Sequence, residues 1–140
     1  MSSSHQFRDH TGEVELALAA DSLAEIYVQA AFALTELCLN ARPDPPPSAP
    51  AIEIRLAARD AATLLVDWLN ELVFRCDVDR MVFTDVRVEM EPVDSGCGLV
   101  ARLRGLADAE LAGQVKAATL HRARVERTPE GFVGNVVLDV

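Results

Sequence analysis

The groups in this sequence best suited to chemistry are carboxylates. The chain closes on Asp139-Val140, directly after the apolar run Phe132-Val133-Gly134-Asn135-Val136-Val137-Leu138. That run reads as a strand rich in β-branched and aliphatic residues. A penultimate aspartate and an α-carboxylate are then delivered together at the end of an ordered element. Two hard oxygen groups side by side suit a cation or a basic group on a partner. The plainer reading is a strand that ends in a solvating acid. His10-Thr11-Gly12-Glu13 sets a turn, a hydroxyl and an acid at the start of another strand. Lys116, followed by Ala117-Ala118-Thr119, either reaches into a site or lies exposed among small neighbours. His121 sits beside basic residues in a strand-like run, as a solvated or hydrogen-bonded histidine does, and Glu71 falls on the polar side of a helix by spacing. No nucleophile elbow, phosphate loop, dinucleotide fingerprint or His-Glu-x-x-His zinc motif occurs. A small hydrolase built from Glu13, Asp139 and His10 would lack both a nucleophile and a complete metal triad.

The elements that position these groups follow from periodicity. Val14, Leu16 and Leu18 alternate with Glu13, Glu15 and Ala17, giving a half-buried strand over Glu13–Ala19. Ser22-Leu23-Ala24-Glu25 is a capping box, and Leu23, Ile26, Tyr27, Ala30, Leu34, Leu37 and Cys38 then recur at helical spacing over 22–40. Residues 43–50, Pro-Asp-Pro-Pro-Pro-Ser-Ala-Pro, exclude helix and central strand and read as a stiff surface connection. Ile52, Ile54 and Leu56 mark a second alternating strand. Asp60 is the expected N-cap of a helix over 61–76, with Leu64, Leu65, Trp68, Leu69, Leu72 and Val73 as its apolar stripe. Strands are expected over Val82–Met90, Leu99–Gly105, Val115–Thr128 and the terminal run, with turns at Pro92–Gly98 and Pro129-Glu130-Gly131 and an irregular polar stretch over 106–114. The expectation is one α+β domain over residues 1–140, with two amphipathic helices packed on one face of a mostly antiparallel sheet.

Composition narrows the function classes. The formal charge of −9 over 140 residues repels phosphate backbones and favours a basic partner. Five Phe, one Trp and one Tyr offer no stacking platform for bases. No apolar stretch approaches the roughly 18 residues of a membrane span. Met-Ser-Ser-Ser-His-Gln lacks the basic and apolar regions of a secretion signal. Three widely spaced cysteines, with no zinc pattern, fit reduced thiols in a cytoplasm. Cys38 and Cys76 fall at helical core positions and read as small buried hydrophobes.

Four segments together resemble the archease family, over nearly the whole chain. Phe7-Arg8-Asp9-His10-Thr11-Gly12-Glu13 is similar to the family's aromatic-x-x-His-Thr-Ala-Asp opening. Leu64-Leu65-Val66-Asp67-Trp68-Leu69-Asn70-Glu71-Leu72 resembles its Leu-Leu-x-x-Trp-Leu-Asn-Glu-Leu element, and Val115-Lys116-Ala117-Ala118-Thr119-Leu120-His121 its Val-Lys-Ala-Val-Thr-Tyr-His element. Leu138-Asp139-Val140 resembles its closing aliphatic-Asp-Ile, with valine in the place of isoleucine. The resemblance implies a non-enzymatic cofactor that promotes guanylylation and repeated turnover of a GTP-dependent tRNA-splicing RNA ligase. It further implies a divalent cation (Ca, Mg or Mn) on oxygen ligands from Glu13, Asp139 and Val140, with Lys116, Glu71 and His10 in support. The chain departs from the family pattern at Glu13, where the family has Asp. It also departs at Leu106, which replaces an acid, at Leu120, which replaces a tyrosine, and in a histidine missing before the lysine motif. These departures leave open a diverged, chaperone-like interaction module with no metal requirement.

Overall fold

The structure, a computed structural model, describes residues 3–39, 49–111 and 113–140, with the side chain of His10 set aside. Most of the Pro-rich connection therefore lies outside the described residues. The elements run β1 (Ser4–His10), β2 (Glu13–Ala20), α1 (Leu23–Leu39), β3 (Ile52–Ala58), α2 (Ala61–Asp79), β4 (Val82–Glu91), β5 (Cys97–Leu106), β6 (Ala117–Thr128) and β7 (Gly131–Asp139).

The strands form two antiparallel sheets where the sequence reading expected one. Sheet A has the order β1-β2-β7-β6 and sheet B the order β3-β5-β4. Neither helix belongs to a single sheet: α1 packs chiefly on β4 and β2, and α2 chiefly on β6 and β3. Alternation states which face of a strand is apolar, but says nothing of which strands pair. The split between sheets was therefore not readable locally. Strand β1 was not foreseen either, because Ser4-His5-Gln6-Phe7-Arg8-Asp9-His10 is polar and lies at a sheet edge.

Local chemistry sets the element boundaries. Ser22 Oγ accepts from the Glu25 amide at 3.2 Å and opens α1. Asp60 accepts from the Thr63 amide at 2.7 Å and opens α2; that hydrogen bond holds its carboxyl below the usual range. Helix α2 ends at Asp79, three residues beyond the expected end, and is capped by Arg80 in left-handed backbone. Its apolar stripe is fully interior, as are Val14, Leu16 and Leu18 of β2. Trp68, completely buried, donates Nε1–H to the Tyr27 carbonyl at 2.9 Å and locks the two helices together.

Each helix also grips one edge strand. Thr35 of α1 donates its hydroxyl to the Phe83 carbonyl at 3.0 Å and accepts from the Phe83 amide at 3.2 Å. Asn70 of α2 donates Nδ2–H to the Ala118 carbonyl at 3.1 Å and accepts from the Ala118 amide at 2.8 Å. A single side chain thus satisfies both backbone groups of one buried residue on an edge strand.

Cys38 and Cys76 sit in the core with their sulfurs 3.3 Å apart. The hydrogen bond with Cys76, reinforced by burial, pushes the Cys38 thiol upward, and burial does the same for the partly covered Cys97.

Two outcomes are expected. Asn70→Ala strands the amide and carbonyl of buried Ala118 and should lower the urea unfolding free energy by about 2 kcal/mol; a loss below about 0.5 kcal/mol would mean that water replaces the amide. Disulfide-exchange titration of native protein at pH 8 should find Cys97 at most, with Cys38 and Cys76 reacting only after denaturation.

Candidate carboxylate edge

The predicted acids meet because the first hairpin and the last strand pair. Thr11-Gly12 is a two-residue turn between the paired His10 and Glu13, and Gly12 at φ 73 supplies the left-handed backbone it needs. Strand β7 then lies against β2 with Asp139 directly opposite Glu13. Directly opposed residues project from the same face with Cβ atoms about 5 Å apart. The register continues to the very end of the chain. The Val140 amide donates to the Gly12 carbonyl at 3.1 Å, and the Lys116 amide donates to the Asp139 carbonyl at 2.8 Å. Asp139 and Val140 are therefore fixed by backbone bonds, one on the β6 side and one at the hairpin turn, while Val140 keeps its side chain exposed.

The supporting residues are placed differently. Lys116 is exposed and enters the site through its main chain. His10 closes β1 in register with Glu13, and its side chain lies outside the described set. Glu71, half-buried, is bound to Arg75 on its own helix at 3.2 Å. Its neighbour Asn70 is the residue of that motif that reaches β6. His121 is exposed.

Sequence reasoning missed the cations here. Glu15 was expected on the solvent face, and it does lie on that face of sheet A, yet its side chain is only 12% exposed. Two arginines cover it: Arg8 Nη1 lies 3.7 Å from Oε1 and Arg122 Nη1 lies 3.6 Å from Oε2. Arg122 Nη2 is also 3.8 Å from Glu13 Oε2. Arg8, Glu15, Arg122, Arg124 and Asn135 line a shallow depression of about 470 Å³ beside the carboxylates. In the same outer row, the buried Thr119 hydroxyl has no hydrogen-bond partner among the described residues.

The donor set is all oxygen, which suits a hard cation such as Ca²⁺, Mg²⁺ or Mn²⁺ over zinc. Among the described residues no group of three or more His, Cys, Asp and Glu side chains is placed to hold a metal. A cation here would rest on Glu13, Asp139 and the α-carboxylate of Val140. No described helix is long and apolar enough to cross a membrane.

Comparison with known proteins covers the same ground. The model of the Archease protein family matches residues 5–140. Protein archease of Archaeoglobus fulgidus is 32% identical, over 97% of this chain and 98% of its own length. Protein archease of Methanopyrus kandleri is 31% identical, over 94% and 96%. In fold, the solution structure of Methanobacterium thermoautotrophicum protein 1598 superposes with a TM-score of 0.81 at 24% identity, covering 97% of this chain and 98% of that one. A Thermotoga maritima crystal structure described as an archease, possible chaperone, gives 0.63 at 17%, covering 98% and 100%.

Because the edge is assembled by main-chain bonds, Lys116→Ala and Asp139→Asn should each unfold in urea within about 0.5 kcal/mol of the parent. A larger loss for Asp139→Asn would make its carboxylate a structural group.

Proposed function

The chain belongs to the archease family, and from that premise we propose that it is a non-catalytic protein cofactor of a tRNA-splicing RNA ligase, promoting guanylylation of the ligase and its repeated turnover. The observation that carries this reading is the in-register pairing of Glu13 with Asp139, with the Val140 amide fastened to the Gly12 carbonyl beside them. It gathers the acids of the family's opening and closing motifs into one rigid group. The absence of any nucleophile motif and the chain's charge of −9 fit a protein that acts on a basic RNA-binding partner and makes no direct nucleic-acid contact of its own. Reduced core cysteines fit a cytoplasmic setting.

In this reading Glu13, Asp139 and the Val140 carboxylate hold a divalent cation, Ca, Mg or Mn. The chemistry such an ion supplies when bound is Lewis-acid organisation of phosphate oxygens during nucleotide transfer. Lys116 contributes the backbone bond that fixes Asp139, and Asn70 secures β6 behind it. Glu71 and His10 are assigned supporting roles in this reading.

One observation favours the second reading, a chaperone-like interaction module that needs no metal: Glu13 already has a cation beside it, Arg122. Glu13 stands where the family has Asp, and it meets that arginine with a side chain one methylene longer.

The deciding assay is transfer of labelled GMP to a cognate ligase, with and without this protein. Wild type should stimulate the transfer, and Asp139→Ala should reduce the stimulation about tenfold or more. Full stimulation by the variant would remove the carboxylate edge from the mechanism; none by folded wild type would favour the interaction module.

A further inference from the structure

Strand β6 breaks register beside the carboxylates. Between Thr119 and Arg124 it advances five residues while β7 advances two, from Val137 to Asn135. The extra residues form a broad bulge that leaves Leu120 exposed and turns Arg122 back over the sheet. Arg122 has φ 61, the left-handed region that a non-glycine residue enters at a cost of roughly 1–3 kcal/mol. Asn135 stabilises this backbone by donating Nδ2–H to the Arg122 carbonyl at 3.3 Å. Bulges beside functional sites commonly re-aim a side chain. Here the side chain aimed is a guanidinium, and it is aimed at two carboxylates.

Its contacts are those of a removable counter-ion. The separations to Glu13 and Glu15, 3.8 and 3.6 Å, exceed hydrogen-bond length, and half of the arginine side chain is in solvent. Exposed pairs of this kind add little to stability. Glu15 does not depend on Arg122, because Arg8 approaches its other oxygen. For Glu13, in contrast, Arg122 is the ion-pair partner that the described residues provide.

We propose that Arg122 is the resident counter-ion of this edge, and that a divalent cation binding at Glu13 and Asp139 must displace it. The inference rests on the cation-binding reading given above. Arg122 then sets the affinity of the edge: it neutralises Glu13 in the free protein and weakens cation binding. Displaced from Glu13, its guanidinium remains over the depression that it already lines with Arg8 and Arg124.

The test is calorimetric titration of the whole protein with Ca²⁺ at low ionic strength, independent of any ligase. Arg122→Asn removes the charge and places in the left-handed position a residue that tolerates it. It should tighten binding about five- to tenfold, the effect of deleting one unit charge roughly 4 Å away in a water-like medium. High salt should shrink the difference, and Arg122→Lys should keep the weak wild-type affinity. Binding seen only in Arg122→Asn would support displacement equally. Equal affinities for wild type and Arg122→Asn, with Asp139→Asn abolishing binding, would overturn the counter-ion role and leave the cation site standing. No binding by any variant would overturn both. Urea melts of each variant separate these outcomes from loss of fold.

Discussion

The position of the last strand governs this molecule. β7 lies between β2 and β6, so sheet A cannot close until the end of the chain has been laid into it. Its partner β2 is the second strand of the chain, and bringing the two together closes a loop of nearly the whole sequence. Such non-local pairing carries a loop-closure cost that local contacts do not. The compensation is an interior strand bonded on both sides, with Val136, Val137 and Leu138 all buried. The functional geometry is a by-product of this requirement. Once β7 is in register with β2, Asp139 has no freedom except to face Glu13, and Val140 must lie at the hairpin turn.

Around that strand the helices act as fasteners as well as core. The α1 and α2 stripes supply a large share of the apolar core, while Thr35 and Asn70 perform a task that apolar residues cannot. Each satisfies an amide and a carbonyl on an edge strand, at Phe83 and at Ala118. The edges of β4 and β6 are thereby less open to pairing with another chain. The Asn70 contact also ties the middle of α2 to the start of β6 at Ala118, two residues beyond Lys116 and three beyond Val115. The order of the carboxylate edge thus reaches back to the Trp68 that locks the helices together, two positions away on the same helix.

Much of this was legible in the sequence wherever a local rule applied. The alternation of Glu13–Ala19, the caps at Ser22 and Asp60, the two apolar stripes and the terminal strand all follow from side-chain periodicity and short-range hydrogen bonding, and the structure places them there. The carboxylate edge was approached from family resemblance, and its geometry then came from pairing register. What stayed hidden depends on contacts between distant segments. β1 is polar because it lies at a sheet edge, so no apolar pattern announces it. Val115–Thr128 reads as one strand, but the strand begins at Ala117 and breaks over Leu120–Ala123, with Arg122 in left-handed backbone. Nothing in Leu-His-Arg-Ala signals this; arginine has no preference for that conformation. Glu15 looked like a solvent-facing acid because its two covering arginines come from β1 and from the bulge.

That bulge is where local preference and global arrangement disagree most, and the disagreement is informative. A sequence settles into a fold when propensity, pattern and charge agree, and departures concentrate where something other than stability is served. Continuing β6 in register would have avoided the left-handed residue and kept the ladder intact. It would also have withdrawn the guanidinium from Glu13, leaving two carboxylates opposed across one strand pair, a repulsive arrangement. The strained arginine answers that repulsion without fixing a close hydrogen bond, because its contacts stop at 3.6 and 3.8 Å. A bidentate pair would have been more stable and harder to open. The loose contact keeps the negative edge available to a competing cation while holding it neutral enough to fold.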